Sequence, residues 1–406
     1  MVQVIAATPK NSDQTRWHRC GARVYAGANA ELPEKTLMPS LDHPAAWTVA
    51  ELEGDRSWVF EIDDAGRAEL TRAVKKAYSP ERDLFDYRRS EFDLGPAWDA
   101  IAAAIREAHH GRGFALVHGL PRQELSEAEF GLLNWAIGLH TGVARPQGKA
   151  TQYMSEVRNV GMDYRSAGGR GYNSNQRLDF HVDGTDIATL GCFNKARSGG
   201  QSMITSSLTA FATLLAERPD LAEVAHGTFY FSRQHEETED EGPFYGQPLI
   251  DYCEGHTFAK WNRNRVQSAQ RFEDCPRLTD RQRECIDVMD EILQRPQNMF
   301  TMYLEPGDLQ VFNNHTMLHS RTHYEDFEKP EERRLLFRLW LAPPDSVRLP
   351  DTWRDFYRST EPGTVRGGIR GHNHTDECRA WEARQAADVL PLSLIHISEP
   401  TRPTPI

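Results

Sequence analysis

The 406-residue chain has no surplus of positive charge: 47 Lys and Arg stand against 59 Asp and Glu, a net charge of −12. That disfavours a nucleic-acid partner, whose phosphates need a basic excess to neutralise them. It leaves a small substrate open, because a local pocket can oppose the global sign. Cysteine is sparse. The six residues Cys20, Cys192, Cys253, Cys275, Cys285 and Cys378 form no C-x-x-C pair, which argues against a structural zinc module and a disulfide framework. No apolar run reaches the length of a membrane helix, and the N-terminal MVQVIAATPKNSDQTRW has no apolar signal core. The expectation is a protein of the reducing cytoplasm with neither membrane nor nucleic acid as partner, and with homo-oligomerisation left open. Internal repeats, heptads and regular βαβ alternation are also missing. The glycines of SAGGRGYN follow no clear strand and open no helix, so a phosphate loop is disfavoured.

Hydrophobic residues at 39% and charged residues at 26% are ordinary for a globular chain. SWVFEI reads as a short strand, with a helix starting near Asp63 or Asp64. PAWDAIAAAIREAHHG has helical apolar spacing and stops at Gly111, and GFALVHG reads as a buried strand. Ser126 to Glu129 is a capping box that opens a further helix. From Ala150 to Arg177 the polar, glycine-rich composition reads as a long loop. Beyond it, short β-type runs such as TLGCFNKA, HTFAKWN, LQVFNN and LLFRLWLA are divided by turns. Two helices interrupt them, SLTAFATLLAER and TDRQRECIDVMDEILQR. Many short strands over some two hundred residues point to a sandwich or jelly roll.

The chemistry centres on LDFHVDGTD, where His181 and Asp183 lie two residues apart. His-x-Asp alone is weak evidence for a metal, since the chain repeats it at His374-Thr-Asp376. A partner block lies downstream: YLEPGDLQVFNNHTMLHSRTHYEDFEKPEERRLLFRLWLAPP holds His315, His319 and His323 as candidate third ligands. Two imidazoles and one carboxylate on one face of a metal are the arrangement of non-heme iron(II) oxygenases. Arg334 and Arg338 follow four residues apart, the latter inside an apolar strand. A buried arginine there calls for an anionic partner.

FHVDG, ARSGGQSMITSS, LEPGDLQVFNNHTMLHSRT and ERRLLFRLWL, in that order between about Glu91 and Arg370, resemble the taurine dioxygenase/clavaminate synthase-like superfamily. Its members are iron(II)- and 2-oxoglutarate-dependent oxygenases. The resemblance implies an α+β fold: a double-stranded β-helix (jelly-roll) core with flanking helices and an N-terminal α/β extension. It implies His181, Asp183 and His319 as iron ligands, with iron(II), 2-oxoglutarate and O2 as the reacting set. It matches Arg334 to the residue that binds the distal carboxylate of 2-oxoglutarate, Ser202 to a hydroxyl assisting there, and Arg338 to a residue that meets an anionic substrate. Asp183 is retained where halogenating relatives carry a small residue, so hydroxylation or desaturation is implied. The cysteine-rich zinc module of butyrobetaine hydroxylase-like members is lacking.

The expected organisation is an extension over residues 1–90, an oxygenase domain over 91–391 and a tail over 392–406. The tail stretch LSLIHISEPTR resembles a translated sequencing adapter, so His396 is set aside from any site. Trp261 and Trp340 read as core, and His374-Thr-Asp376 as a solvated pair. The expected activity is oxidation of a small polar or anionic molecule with release of succinate and CO2. Two other classes compete: a non-catalytic jelly-roll binding protein, and a metal-dependent hydrolase using the same His/Asp/His site.

Overall fold

The computed structural model describes residues 42–163 and 170–389, which belong to one compact unit. Residues 1–41, 164–169 and 390–406, among them Cys20 and the tail from Leu392, lie outside the described residues.

A seven-stranded sheet organises the chain. Its strands are β1 (Val59–Glu61), β2 (Phe114–His118), β3 (Val143–Ala144), β4 (Met154–Val157) and β5 (Ile187–Asn194), with two more from the second half. Those are β8 (Leu309–Asn313) and β10 (Leu335–Ala342) in this sheet, while β6 (Ser202–Ser206), β7 (Met299–Met302) and β9 (Met317–Arg321) form a separate three-stranded sheet. The large sheet runs β1-β2-β8-β5-β10-β3, with β4 also paired to β10; only β1–β2 is parallel. The small sheet is antiparallel throughout, in the order β7-β6-β9.

Period-two alternation decides where each side chain goes. On β10, Leu335, Phe337, Leu339 and Leu341 join a core shared with helices α1 (Asp64–Ala77), α2 (Ala97–His110) and α3 (Glu127–Thr141). The intervening Leu336 and Trp340 join a second core with Phe114 of β2, Ala188 of β5, Phe312 of β8, Ile204 of β6 and Met317 of β9. The large sheet therefore has helices on one face and the small sheet on the other. Each fully buried Leu or Phe stabilises this layering by about 1.5–3 kcal/mol. Helix α3 lies so close to β5 that a Cβ at Gly191 would collide with the Asn134 amide.

The small sheet is backed in turn by a third core. Met203 of β6 and Leu318 of β9 pack there with helices α4 (Ser207–Glu217) and α5 (Asp280–Leu293). The capping boxes at Ser126/Glu129 and Thr279/Gln282 both form, and Asp63 caps α1. The final helix, α6 (Asp376–Val389), adds Cys378, Trp381 and Ala386 to the first core.

Two expectations are corrected. The stretch Ala150–Arg177 is not all loop, because Met154–Val157 pairs with the middle of β10. His374 is not solvated: its Nε2 lies 3.3 Å from Glu382 Oε1 with 7% of the side chain exposed, because α6 docks against that segment.

Candidate iron centre

Alternation along the chain decides where His181 and Asp183 point. Phe180 and Val182 turn into the core behind the small sheet, which sends His181 and Asp183 the opposite way. The segment is held without being a full strand. His181 exchanges both backbone hydrogen bonds with His319 at 3.0 Å, and Val182 N–H donates to Trp261 O at 2.9 Å. Asn314 Oδ1 accepts from the Asp183 backbone N–H at 2.8 Å. His319 sits on β9 in register with Met317, facing the same gap between the sheets.

Each of His181, Asp183 and His319 offers a ligating atom within 4.8 Å of the other two. His319 Nε2 is 3.8 Å from Asp183 Oδ2, and the two imidazole centroids are 4.3 Å apart. His181 Nδ1 is 2.9 Å from the Asp179 carbonyl. A carbonyl only accepts, so the proton sits on Nδ1 and the Nε2 lone pair is left for a metal. Burial holds both imidazoles below their ordinary range, His319 down to about 3, with the neighbouring His181 adding to that shift. Burial works against ionising Asp183, but Arg338, both histidines and the Trp340 N–H outweigh it and keep the carboxyl below its usual range. Neutral imidazoles and an ionised carboxylate are the forms that ligate.

The rival third ligands are placed elsewhere. His315 Nε2 is 2.8 Å from Asp186 Oδ1, in a buried network with Arg366, and His323 is exposed.

A cavity of about 140 Å³ opens beside the triad, lined by Ser202, Arg334, Arg338, Trp340 and Lys260 among others. Arg334 is buried while its neighbour Arg333 is exposed, because 334 shares the parity of 336, 338 and 340. The Arg334 Nη1 is buried with no hydrogen-bond partner among the described residues, and its guanidinium stands 5.0 Å from the Tyr324 ring. Ser202 Oγ donates to Gln310 Oε1 at 2.9 Å. Arg338 donates from Nε to Gln147 Oε1 at 2.9 Å and from Nη1 to Asp183 Oδ1 at 3.3 Å. All six side chains expected at the site therefore line one cavity.

Sequence reasoning missed Trp340, taken for plain core; its Nε1–H donates to Asp183 Oδ2 at 2.8 Å. The signal was present, since Trp340 shares the parity of Arg338 on β10 and of Arg334 just before it. Lys260 was missed too, although a lysine ending the run HTFA raises the same burial question as Arg338. Gln147, Arg170, Glu236 and Arg265, which also line the cavity, carry no local signal.

The donor set fits iron(II), and the unpaired cationic Nη1 of Arg334 fits the far carboxylate of a dicarboxylate cosubstrate. Residues 79–340 match the taurine catabolism dioxygenase TauD, TfdA family. The FR-33289 synthase of Streptomyces rubellomurinus is 29% identical over 313 residues, covering 75% of this chain and 91% of that protein. The taurine hydroxylase-like protein SAT17 of Stachybotrys chartarum is 25% identical over 340 residues, covering 76% and 83%. Among solved structures, an asparagine oxygenase superposes with a TM-score of 0.53 at 16% identity, over 76% of this chain and 99% of that one. The non-heme iron oxygenase OrfP, bound to Fe, succinate and (3S)-hydroxy-L-Arg, gives 0.51 at 12%, over 75% and 99%. At such identities the structural likeness concerns the fold, a mixed α/β architecture with a large antiparallel sheet. The chain belongs to the TauD/TfdA family and is an iron(II)- and 2-oxoglutarate-dependent dioxygenase.

Proposed function

We propose that His181, Asp183 and His319 hold the iron, that Arg334 with Ser202 beside the same cavity receives the distal carboxylate of 2-oxoglutarate, and that Arg338 meets the substrate. The reaction class is hydroxylation, with desaturation as the close variant, of a small polar or anionic molecule. The observation that carries this reading is one cavity holding three converging ligand atoms and a buried arginine nitrogen without a partner. Bound iron(II) supplies the oxidising chemistry from O2 as 2-oxoglutarate is converted to succinate and CO2.

The chain's own residues do the positioning. Trp340 and Arg338 fix the Asp183 carboxylate from one side, while Asn314 fixes its backbone. Asp179 sets the His181 tautomer. Arg334 supplies fixed positive charge in a buried setting, where a carboxylate pairs strongly. Arg338 Nη2 makes no hydrogen bond among the described residues, which leaves a donor for substrate. A hydrolase reading gives the Arg334 nitrogen nothing to bind.

The same reading extends to the architecture. The seven- and three-stranded sheets, packed through one shared core, serve as the two halves of a jelly roll. An extension through residue 90, whose β1 adds to the sheet edge, precedes the oxygenase domain of 91–391, and a non-native tail over 392–406 follows it.

The test is anaerobic addition of iron(II) and 2-oxoglutarate, read as a visible metal-to-ligand absorption band. The band is expected in the wild-type protein and absent when both His181 and His319 are replaced by Ala. A wild-type protein that binds iron but never develops the band would sink the assignment.

A further inference from the structure

The cavity lining has an electrostatic imbalance that iron and 2-oxoglutarate do not use. Five arginines and one lysine line the cavity, against two carboxylates, Asp183 and Glu236. Both carboxylates are already committed. Asp183 belongs to the triad, and Glu236, only 2% exposed, pairs through Oε1 with Arg170 and through Oε2 with Arg265. No carboxylate among the described lining residues is left for a substrate cation.

Lys260 is the converse case. Its segment runs beside the first triad histidine, since Asn262 bridges His181 and Trp261 O accepts from Val182. Trp261 turns into the core behind the small sheet, which sends Lys260 and Asn262 into the cavity that both line. The lysine is 3% exposed. Its ammonium makes no hydrogen bond or ion pair with the described residues. It sits 4.1 Å from the centroid of the Phe356 ring and 5.5 Å from that of Tyr357. A buried ammonium left with aromatic faces alone is costly, and an anion in the cavity would offset that cost.

We propose that Lys260, with the Arg170–Glu236–Arg265 cluster beside the same cavity, forms a cationic subsite that takes an acidic group of the substrate and refuses an ammonium or guanidinium. This rests on the oxygenase-site reading above and deepens it, because it names the substrate's chemical class and a second anchor besides Arg338. The substrate is thus held at two points, with the atoms between the acidic group and Arg338 lying over the triad. Burial, followed by repulsion from Arg265, pushes the lysine down to about 7 against the attraction of Asp183.

The test uses the full chain loaded anaerobically with iron(II) and 2-oxoglutarate, so that Arg334 is already engaged. Sulfate and L-arginine are titrated as probes, read by melting temperature and by the visible band. Sulfate is expected to bind and L-arginine not to. Lys260→Met should weaken sulfate about tenfold or more while the band still forms, and Lys260→Arg should restore binding. Lys260→Gln makes the same comparison if the Met variant does not fold. Unchanged sulfate affinity in the neutral variants, no sulfate binding to wild type, or tighter binding of L-arginine than of sulfate overturns the subsite. A wild-type protein without the band overturns the oxygenase-site reading itself and the subsite with it.

Discussion

The indole N–H of Trp340 donates to Asp183 Oδ2 at 2.8 Å, while the Arg338 guanidinium lies 3.3 Å from Oδ1 of the same carboxylate. Two side chains of one strand face thus aim a carboxylate that lies on another segment of the chain. Groups that orient a metal ligand typically change metal affinity about 10- to 100-fold when removed. Trp340→Phe keeps the ring and loses the donor. Iron(II) affinity, measured by anaerobic titration, should fall by about that factor while the melting temperature changes little. Unaltered affinity would reduce Trp340 to packing.

Arg334→Ala should separate the two ligands of the site. Removing one side of a buried charged pair costs about 3–5 kcal/mol, so 2-oxoglutarate affinity should drop by about two to four orders of magnitude. Iron binding should survive, because no triad residue touches Arg334 by a hydrogen bond. Retained cosubstrate affinity would mean that another cation of the cavity does the work.

Glu382 of α6 receives Tyr153 O–H at 2.6 Å and stands 2.8 Å from Arg145 Nη1. Burial would raise its carboxyl, but Arg145, His374 and Tyr153 outweigh it and lower it from 4.5 to about 2. A carboxyl depressed by folding stabilises the native state above its ordinary range, and that stability is lost as pH falls through the folded value. Glu382→Gln should therefore cost about 3 kcal/mol at neutral pH. The gap to wild type should close between pH 4.5 and about 2. Denaturant unfolding across that window checks it; a gap independent of pH would place the cost in packing instead.

Deleting Leu392–Ile406 should leave the melting temperature and 2-oxoglutarate turnover unchanged within error. The stretch resembles a translated adapter, has prolines on both sides of its last threonine and shows no periodic apolar face. A fall of several degrees would mean that these residues pack natively.

Much of this protein was legible in the chain itself, because the signals concerned are local. Capping boxes at Ser126 and Thr279 mark helix starts within four residues. The four-residue spacing of Arg334 and Arg338 and the ordered blocks around His181 and His319 marked as candidates side chains that the fold brings to one cavity. What the sequence left open was which face of each strand meets the cavity and what waits there. Trp340 read as core because an indole among leucines is apolar until a carboxylate is brought to its N–H. Lys260 looked like the end of an apolar run, and its isolation appears only once the cavity is assembled around it. Gln147 reaches Arg338 across 191 positions, and Glu236 is claimed by two arginines from separate segments. Alternation along a strand is set by backbone geometry and needs no partner. The worth of a buried polar group depends on which groups the packing of two sheets brings within hydrogen-bond range, and that is a property of the tertiary structure alone.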